Sequence, residues 1–185
     1  MNSYTNIFIR TVTILIVAVF FYACQDNYDD IKRMQRATLA PAGIAENINL
    51  KHTDSGKLRA HLISAKMLDF SNKEFAYNSF PEGLVVYLYE NGNKTTVKAD
   101  QAVVYNKTQL IDLRGNVQVF THDGKKLLAD QLYYDQKTEW LFTNQPYKYE
   151  AEDGGYNIGK GGFDANADFT VFSSFDNDGE QYIKK

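Results

Sequence analysis

The sequence predicts an all-β domain in which antiparallel strand pairs stack as rungs along one axis, in two sheets. Three observations point there. From about Ile48 onward, apolar and polar residues alternate with a period of two over short segments; Ser-Gly, Asn-Gly and Asp-Gly pairs divide those segments; and part of the pattern recurs 30 residues later. Period-two alternation sends successive side chains to opposite faces of a strand, and Asn-Gly or Asp-Gly tolerates the positive φ that tight hairpins need. After Pro41 no segment carries a 3.6-residue apolar stripe of helical length.

The chain divides into residues 1–23, 24–47 and 48–185. Residues 1–10 are polar with one cation, Arg10, and residues 11–22 carry no charge. As a helix those twelve residues would span ~18 Å, short of a ~30 Å hydrocarbon core, so the segment is expected to be an export signal. Phe21-Tyr22-Ala23-Cys24 resembles a bacterial lipobox, in which Cys24 would be lipidated after cleavage; the other reading is an uncleaved signal anchor. Cleavage removes Arg10 and no acid, leaving a net charge of −4 in place of −3. Residues 24–47 are rich in charge and amide and are expected to be a flexible spacer from the lipid, with room for a short helix over 31–39 ended before Pro41.

Strands are expected over 48–53, 57–65, 66–70, 75–80, 84–89, 94–100, 102–106, 109–114, 116–121, 125–134, 139–143, 147–150, 156–160, 162–166, 168–173 and 181–184. Turns fall at Ser55-Gly56, Asn91-Gly92, Gly115-Asn116, Asp123-Gly124, Asp153-Gly154 and Asp178-Gly179. Pro81 and Pro146 suit strand openings, where a missing N–H is harmless. The echo runs from Ala99-Asp100-Gln101 through Lys107-Thr108 to Asp123-Gly124, then again from Ala129-Asp130-Gln131 through Lys137-Thr138 to Asp153-Gly154. Equal units of strand pairs each need a neighbour to complete a core.

Alternation also selects an interior. Ile111, Leu113, Val117 and Val119 share one parity; Leu141, Thr143, Tyr147 and Tyr149 stand at the equivalent offset, and Val86 and Leu88 follow Leu84 on an earlier rung. Val85, Tyr87 and Tyr89 make that earlier rung apolar on both faces, so it is expected to be sandwiched. The interior is either a β-sandwich packed solid or two sheets joined along one side, leaving a lengthwise apolar groove. The second arrangement would leave its end rungs with unpaired backbone groups, suited to docking by strand addition.

Composition narrows function. A net-acidic chain is a poor general nucleic-acid binder, and a single cysteine makes neither a disulfide framework nor a cysteine-based zinc site. Gly154-x4-Gly159-Lys160-Gly161 lacks the hydroxyl and following helix of a phosphate loop. Asp164-x-Asn166-x-Asp168 lacks the glycine and closing glutamate of a calcium loop. His52, His61 and His122 have no ligand-spaced partner, and nothing resembles a nucleophile on a strained turn. No catalytic residue, metal site or cofactor is expected.

Residues 98–102, 110–119 and 123–135, with a Leu-x-Gly-Asn-Val core present as Leu113-Arg114-Gly115-Asn116-Val117 and followed by Ala129-Asp130-Gln131-Leu132-Tyr133-Tyr134-Asp135, resemble the repeat of lipopolysaccharide-transport β-jellyroll proteins. Residues 79–87, 143–147 and 159–166 are similar to the early and closing segments of the LptC family. The resemblance implies a twisted, half-open β-jellyroll without enzymatic activity. It implies a periplasmic protein that receives the lipid A acyl chains of lipopolysaccharide from an inner-membrane ATP-driven (ABC) transporter and passes them to the next jellyroll protein of a bridge. On that reading Val86, Leu88, Ile111, Leu113, Val117, Val119, Leu132, Tyr134, Leu141, Tyr147 and Tyr149 line the groove. Ile48, Leu50, Phe169 and Val171 mark its docking edges, and a lipidated Cys24 tethers it, at the inner rather than the outer membrane. Burial of acyl chains at ~25 cal/mol per Å² needs no catalytic group. The competing expectations are an adaptor lipoprotein with a solid β-sandwich, and an extracytoplasmic carbohydrate-binding module using exposed Tyr and Trp140.

Overall fold

A computed structural model describes residues 40–180 apart from Asn91 and Asp168. The expected signal, Cys24, the helix over 31–39 and the strand over 181–184 lie outside the described residues. From Pro41 onward the chain forms one compact unit of fourteen described strands: β1 (Gly43–Asp54), β2 (Lys57–Phe70), β3 (Tyr77–Phe80), β4 (Leu84–Glu90), β5 (Asn93–Ala99), β6 (Gln101–Tyr105), β7 (Leu110–Phe120), β8 (Lys126–Asp135), β9 (Trp140–Thr143), β10 (Tyr147–Glu150), β11 (Tyr156–Gly159), β12 (Phe163–Asn166), β13 (Phe172–Ser174) and β14 (Asn177–Glu180). All pairings are antiparallel. The fold is the all-β, jellyroll-like stack read from the sequence.

Long strands generate two sheets. β2, β7 and β8 each give one half to each sheet. Sheet A runs β2–β4–β5–β7–β8–β10–β11–β14, and sheet B runs β2–β3–β6–β7–β8–β9–β12–β13. β1 pairs with β2 along both halves, from Gly43↔Asp69 to Asp54↔Lys57. Every crossing from A to B falls on one side: within β2 near Ala65, at Asp100 between β5 and β6, at Gly115-Asn116 in β7, and at Asp130 in β8. In β7 one extra residue opposes β8 there, with positive φ at Gly115 (72°) and Asn116 (45°), a bulge that bends the strand into its second sheet.

Hydrogen bonds stitch successive rungs along this corner. Ser64 Oγ donates to Gly83 O at 2.6 Å, Asp100 N to Gly115 O at 2.9 Å, and Asn116 Nδ2 to Asp100 Oδ2 at 2.6 Å. Lys160 N donates to Asp176 O at 3.0 Å and Phe175 N to Gly162 O at 3.1 Å. At Gly162 (φ +89°) a Cβ would stand 2.0 Å from Thr143 O, and at Gly159 one would stand 2.1 Å from the Tyr147 ring. The glycine-rich run therefore lets two rungs close on each other; it crosses β11 and its turn, with no helix behind it.

The 30-residue echo is physical. Asp100 and Asp130 both mark crossings, Gln109 (φ 59°) and Glu139 (φ 54°) both end a turn of sheet B, and Gly124 and Gly154 (both φ 86°) both close hairpins of sheet A. Turns of sheet B are tied to each other down the stack: Gln136 N to Gln109 O at 3.1 Å and Ala167 N to Glu139 O at 3.0 Å.

Several boundaries differ from expectation. β1 begins at Gly43, inside the expected spacer. The segments 57–65 and 66–70 are one strand, as are 109–114 and 116–121, because the chain bends at the corner without leaving the ladder. Residues 75 and 76 lie outside β3. The expected strand over 168–173 is replaced by a turn through Phe169 (φ 58°) that leads into β13, because Phe169 turns its ring onto Tyr149 and Phe172. Asp178-Gly179 is strand, not turn: it pairs with Ile158 and Asn157. Val85, Tyr87 and Tyr89 are not sandwiched; they face outward, half-buried, with Lys94 Nζ 4.0 Å above the Tyr87 ring.

Candidate lipid-binding groove

Direct pairing places side chains on a common face, so the register fixes which residues line the space between the sheets. In sheet A one inner row is Leu50, Leu62, Val86, Val97, Val119, Leu127 and Tyr149. A second, nearer the corner, holds Val117, Ala129 and Tyr147. Leu88 faces inward one step closer to the open side, beside Ala60 and Thr95. In sheet B one row is Val104, Ile111, Tyr134, Leu141, Ala165 and Phe172, and a second holds Phe80, Ala102, Leu113 and Leu132. All eleven sequence-derived groove residues therefore lie on the inner faces. Leu62, Val97 and Val104 belong with them; their parity with Val86 and Ile111 was the available signal.

Burial along these rows is graded. Val117 (1% exposed), Leu132 (0%), Val119, Leu113, Leu141 and Tyr147 are enclosed by the protein's own side chains. Behind them an aromatic cluster fills the C-terminal rungs. Tyr147 packs edge-on to Phe163 (4.7 Å between centroids), Phe163 stacks on Phe172 (5.2 Å), and Tyr149 stacks on Phe172 (5.3 Å). The Tyr147 hydroxyl donates to Asn157 Oδ1 at 2.9 Å and meets Ser174 Oγ at 2.5 Å, and burial raises the phenol's pKa.

Toward the first rungs the same rows open. Val86 and Ile48 are half-buried, Leu88 is 38% exposed and Leu50 61% exposed, while Leu84 stays enclosed; on the later rungs Ile111, Tyr134 and Tyr149 are half-buried as well. Burial also raises the Tyr134 pKa, with Glu139 and Glu90 adding to the shift. A separate depression of about 460 Å³, on the outward side that Lys57, Arg59 and Tyr89 share, is lined by Lys57, Leu58, Arg59, Tyr89 and Gly92. The inner faces are thus most exposed at Leu50 on β1 and Leu88 on β4 and are filled by aromatics at β10–β13.

The expected docking residues separate. Ile48 and Leu50 lie on β1, which pairs with β2 and with no other described strand. Phe169 is buried in the turn before β13 and Val171 is exposed in the same turn, so neither offers a strand edge; the last strands are β13 in sheet B and β14 in sheet A.

The sequence reading missed one buried charge. Asp112, 1% exposed, faces outward from sheet B and is covered by its neighbours. Arg114 Nε donates to Asp112 Oδ2 at 2.9 Å, the guanidinium Nη2 also pairs with it, and Gln131 Nε2 donates to Oδ1 at 2.8 Å. With all its acceptors engaged it is a structural ion pair, which holds Arg114 above its ordinary pKa. Asn166, from the calcium-like spacing, uses its carboxamide on Thr170 Oγ1 and Val171 N. Among the described residues no group of three or more His, Cys, Asp or Glu could hold a metal, and no helix is long and apolar enough to cross a membrane.

Two antiparallel sheets hinged on shared strands, with apolar inner faces, make a β-jellyroll-like fold. Residues 11–166 match the model of the family described as lipopolysaccharide-assembly, LptC-related. The chain belongs to that family. Membership associates it with the cell envelope, with lipopolysaccharide transport, and with lipopolysaccharide and its transport complex as interaction partners. Comparison with curated proteins finds no match.

Proposed function

We propose that this chain is the component that accepts the lipid A acyl chains of lipopolysaccharide from an inner-membrane ABC transporter and passes them to the next jellyroll protein. The observation that carries the reading is exposure on the inner faces of the first rungs: Leu50 and Leu88 are exposed and Leu62, Val86 and Val97 half-buried, whereas Val117, Val119, Leu127 and Leu132 are enclosed. A monomeric core gains nothing by leaving Leu50 and Leu88 wet, whereas hydrocarbon laid on them removes their apolar surface from water. The work of extraction is supplied by the transporter, and this chain contributes a binding surface and no chemical step.

Tethering follows from residues 11–24: export, lipidation of Cys24 and retention at the inner membrane. β1 is the edge that receives the transporter's jellyroll, and β13 or β14 the edge that meets the bridge. A photoreactive amino acid at Val86 or Leu88 tests the reading in cells. Lipopolysaccharide is captured at both sites, and ATP-transporter depletion abolishes capture. Capture of protein neighbours alone at both sites would leave the adaptor reading instead. Mass spectrometry of the membrane-extracted chain tests the tether: a diacylglyceryl mass on Cys24 is expected, and an unmodified residue 1 refutes it.

A further inference from the structure

We propose that the outer face of sheet A is a docking surface for an anionic bilayer. The register puts Lys51, Lys57, Arg59, Lys94, Lys98, Lys126 and Lys148 on that face over the strands from β1 to β10, against the two carboxylates of Asp54 and Glu150. The carboxylates pair with Arg59 (3.6 Å), Lys148 (2.7 Å) and Lys126 (3.9 Å). Among the described residues no carboxylate stands in ion-pair range of Lys51, Lys57, Lys94 or Lys98. A surplus of five positive charges thus lies over the β1–β10 part of this face, with the carboxylate of Asp178 on β14 at its far edge, in a chain whose net charge is −3.

The outer face of sheet B is the opposite. Glu46, Asp112, Asp135 and Asp164 outnumber Lys66 and Arg114 there. The charge is sorted between the two outer faces, not scattered.

Charge complementarity and residue type together select a bilayer as the occupant. Seven neighbouring strands at ~4.8 Å spacing make a face roughly 30 Å wide, broader than one extended peptide, with a depression of about 460 Å³ at its Lys57–Arg59–Tyr89 edge. Tyr87, Tyr89 and Phe120 are interleaved with the cations, and Lys94 and Lys126 lie over the Tyr87 and Phe120 rings at 4.0 and 5.9 Å. Interfacial aromatics beside lysine suit the headgroup layer, where each cation near an anionic surface adds to attraction. The segment between the apolar run ending at Tyr22 and β1 at Gly43 is twenty residues, which at full extension reaches up to ~70 Å. The inference rests on the reading that the N-terminal segment keeps the chain at a membrane.

The full chain, purified from membranes as processed by the cell, is reconstituted into phosphatidylcholine vesicles with or without a third of phosphatidylglycerol. A fluorescent amino acid replaces Thr96 on the outer face of sheet A, or Ser79 on that of sheet B, and headgroup-nitroxide lipid is the quencher. Quenching at position 96 is expected in anionic vesicles only, lost at about 1 M salt, where the Debye length falls to ~3 Å, and absent at position 79. Lys94→Glu with Lys98→Glu and Lys148→Glu weakens it at least on the order of a hundredfold at low salt, while thermal unfolding stays cooperative with a small drop in Tm from the lost Lys94–Tyr87 and Lys148–Glu150 contacts. Flotation with phosphatidylcholine vesicles at high salt reports the N-terminal anchor separately: its loss would remove that reading and leave the face testable. Equal quenching at both positions, or indifference to lipid charge, overturns the proposal. So does unquenched position 96 combined with charge reversal that weakens binding of an acidic partner protein.

Discussion

Truncating Leu50 and Leu88 to alanine separates a surface kept for a guest from a surface kept for the fold. Leu50 is 61% and Leu88 38% exposed, so together they leave uncovered about one whole leucine side chain. Covering a leucine is worth ~1.5–3 kcal/mol, and a factor of ten in affinity is about 1.4 kcal/mol. The double variant should therefore bind lipopolysaccharide roughly ten- to a hundredfold more weakly. The fold loses only what these side chains already bury, about the same span again and shared between two sites, so the domain stays folded with a lowered Tm. Val117→Ala is the reference: Val117 is 1% exposed between the sheets, and removing two methyl-sized groups costs about 2 kcal/mol with the cavity left behind. That variant should lose Tm and keep its affinity while folded. The assay is fluorescent lipopolysaccharide titration beside thermal unfolding by circular dichroism. Unchanged affinity in the leucine double variant, with Tm intact, would refute the reasoning.

Gly162→Ala should fail to fold or lose most of its stability, because its Cβ would meet Thr143 O at 2.0 Å with φ at +89°; soluble yield and circular dichroism report this, and a native-like Tm contradicts the corner packing. Val117→Asp puts a carboxylate in the enclosed core and is expected to abolish folding along with transport, so it is read by solubility. Asp123 is held at a pKa of about 2 by the Thr121 hydroxyl and by Lys125. A depressed carboxylate stabilises the fold above its unfolded pKa of ~3.9 and loses that contribution as pH falls toward 2. Thr121→Val should therefore narrow the Tm difference between pH 6 and pH 2 relative to the parent, and an unchanged difference removes the Thr121 contribution. Asp112→Ala leaves Gln131 without its acceptor and Arg114 without its carboxylate, and costs up to ~3–5 kcal/mol, seen as a lower denaturation midpoint.

Much of this architecture is legible in the residues. The hairpin glycines, the alternation in β4 and β7, and the 30-residue echo gave the rungs, the turns and the inward parity, because each is a local consequence of period and φ. What escaped was nonlocal. A strand that bends from one sheet into the other, as β2 and β7 do, looks the same in sequence as two strands with a break. Gly115-Asn116 reads as a turn until β8 is seen to continue opposite it. Asp178-Gly179 reads as a hairpin tip, yet Gly179 sits against Tyr156 O as part of β14. Alternation assigned Val117 and Leu88 to the same face correctly, but whether a side chain is enclosed or wet depends on the neighbouring rung. Only the structure separates the plugged end from the open one.

The central claim is that hydrocarbon lies on the inner faces of the first rungs. Methyl NMR of the isotope-labelled protein with lipopolysaccharide in solution tests it most directly, through nuclear Overhauser contacts between acyl-chain protons and assigned methyl groups. Contacts are expected at Leu50, Val86, Leu88 and Val97, and none at Leu132 or Val117. Contacts confined to residues on the outer faces, or a spectrum of those four methyls unmoved at saturating ligand, would contradict it.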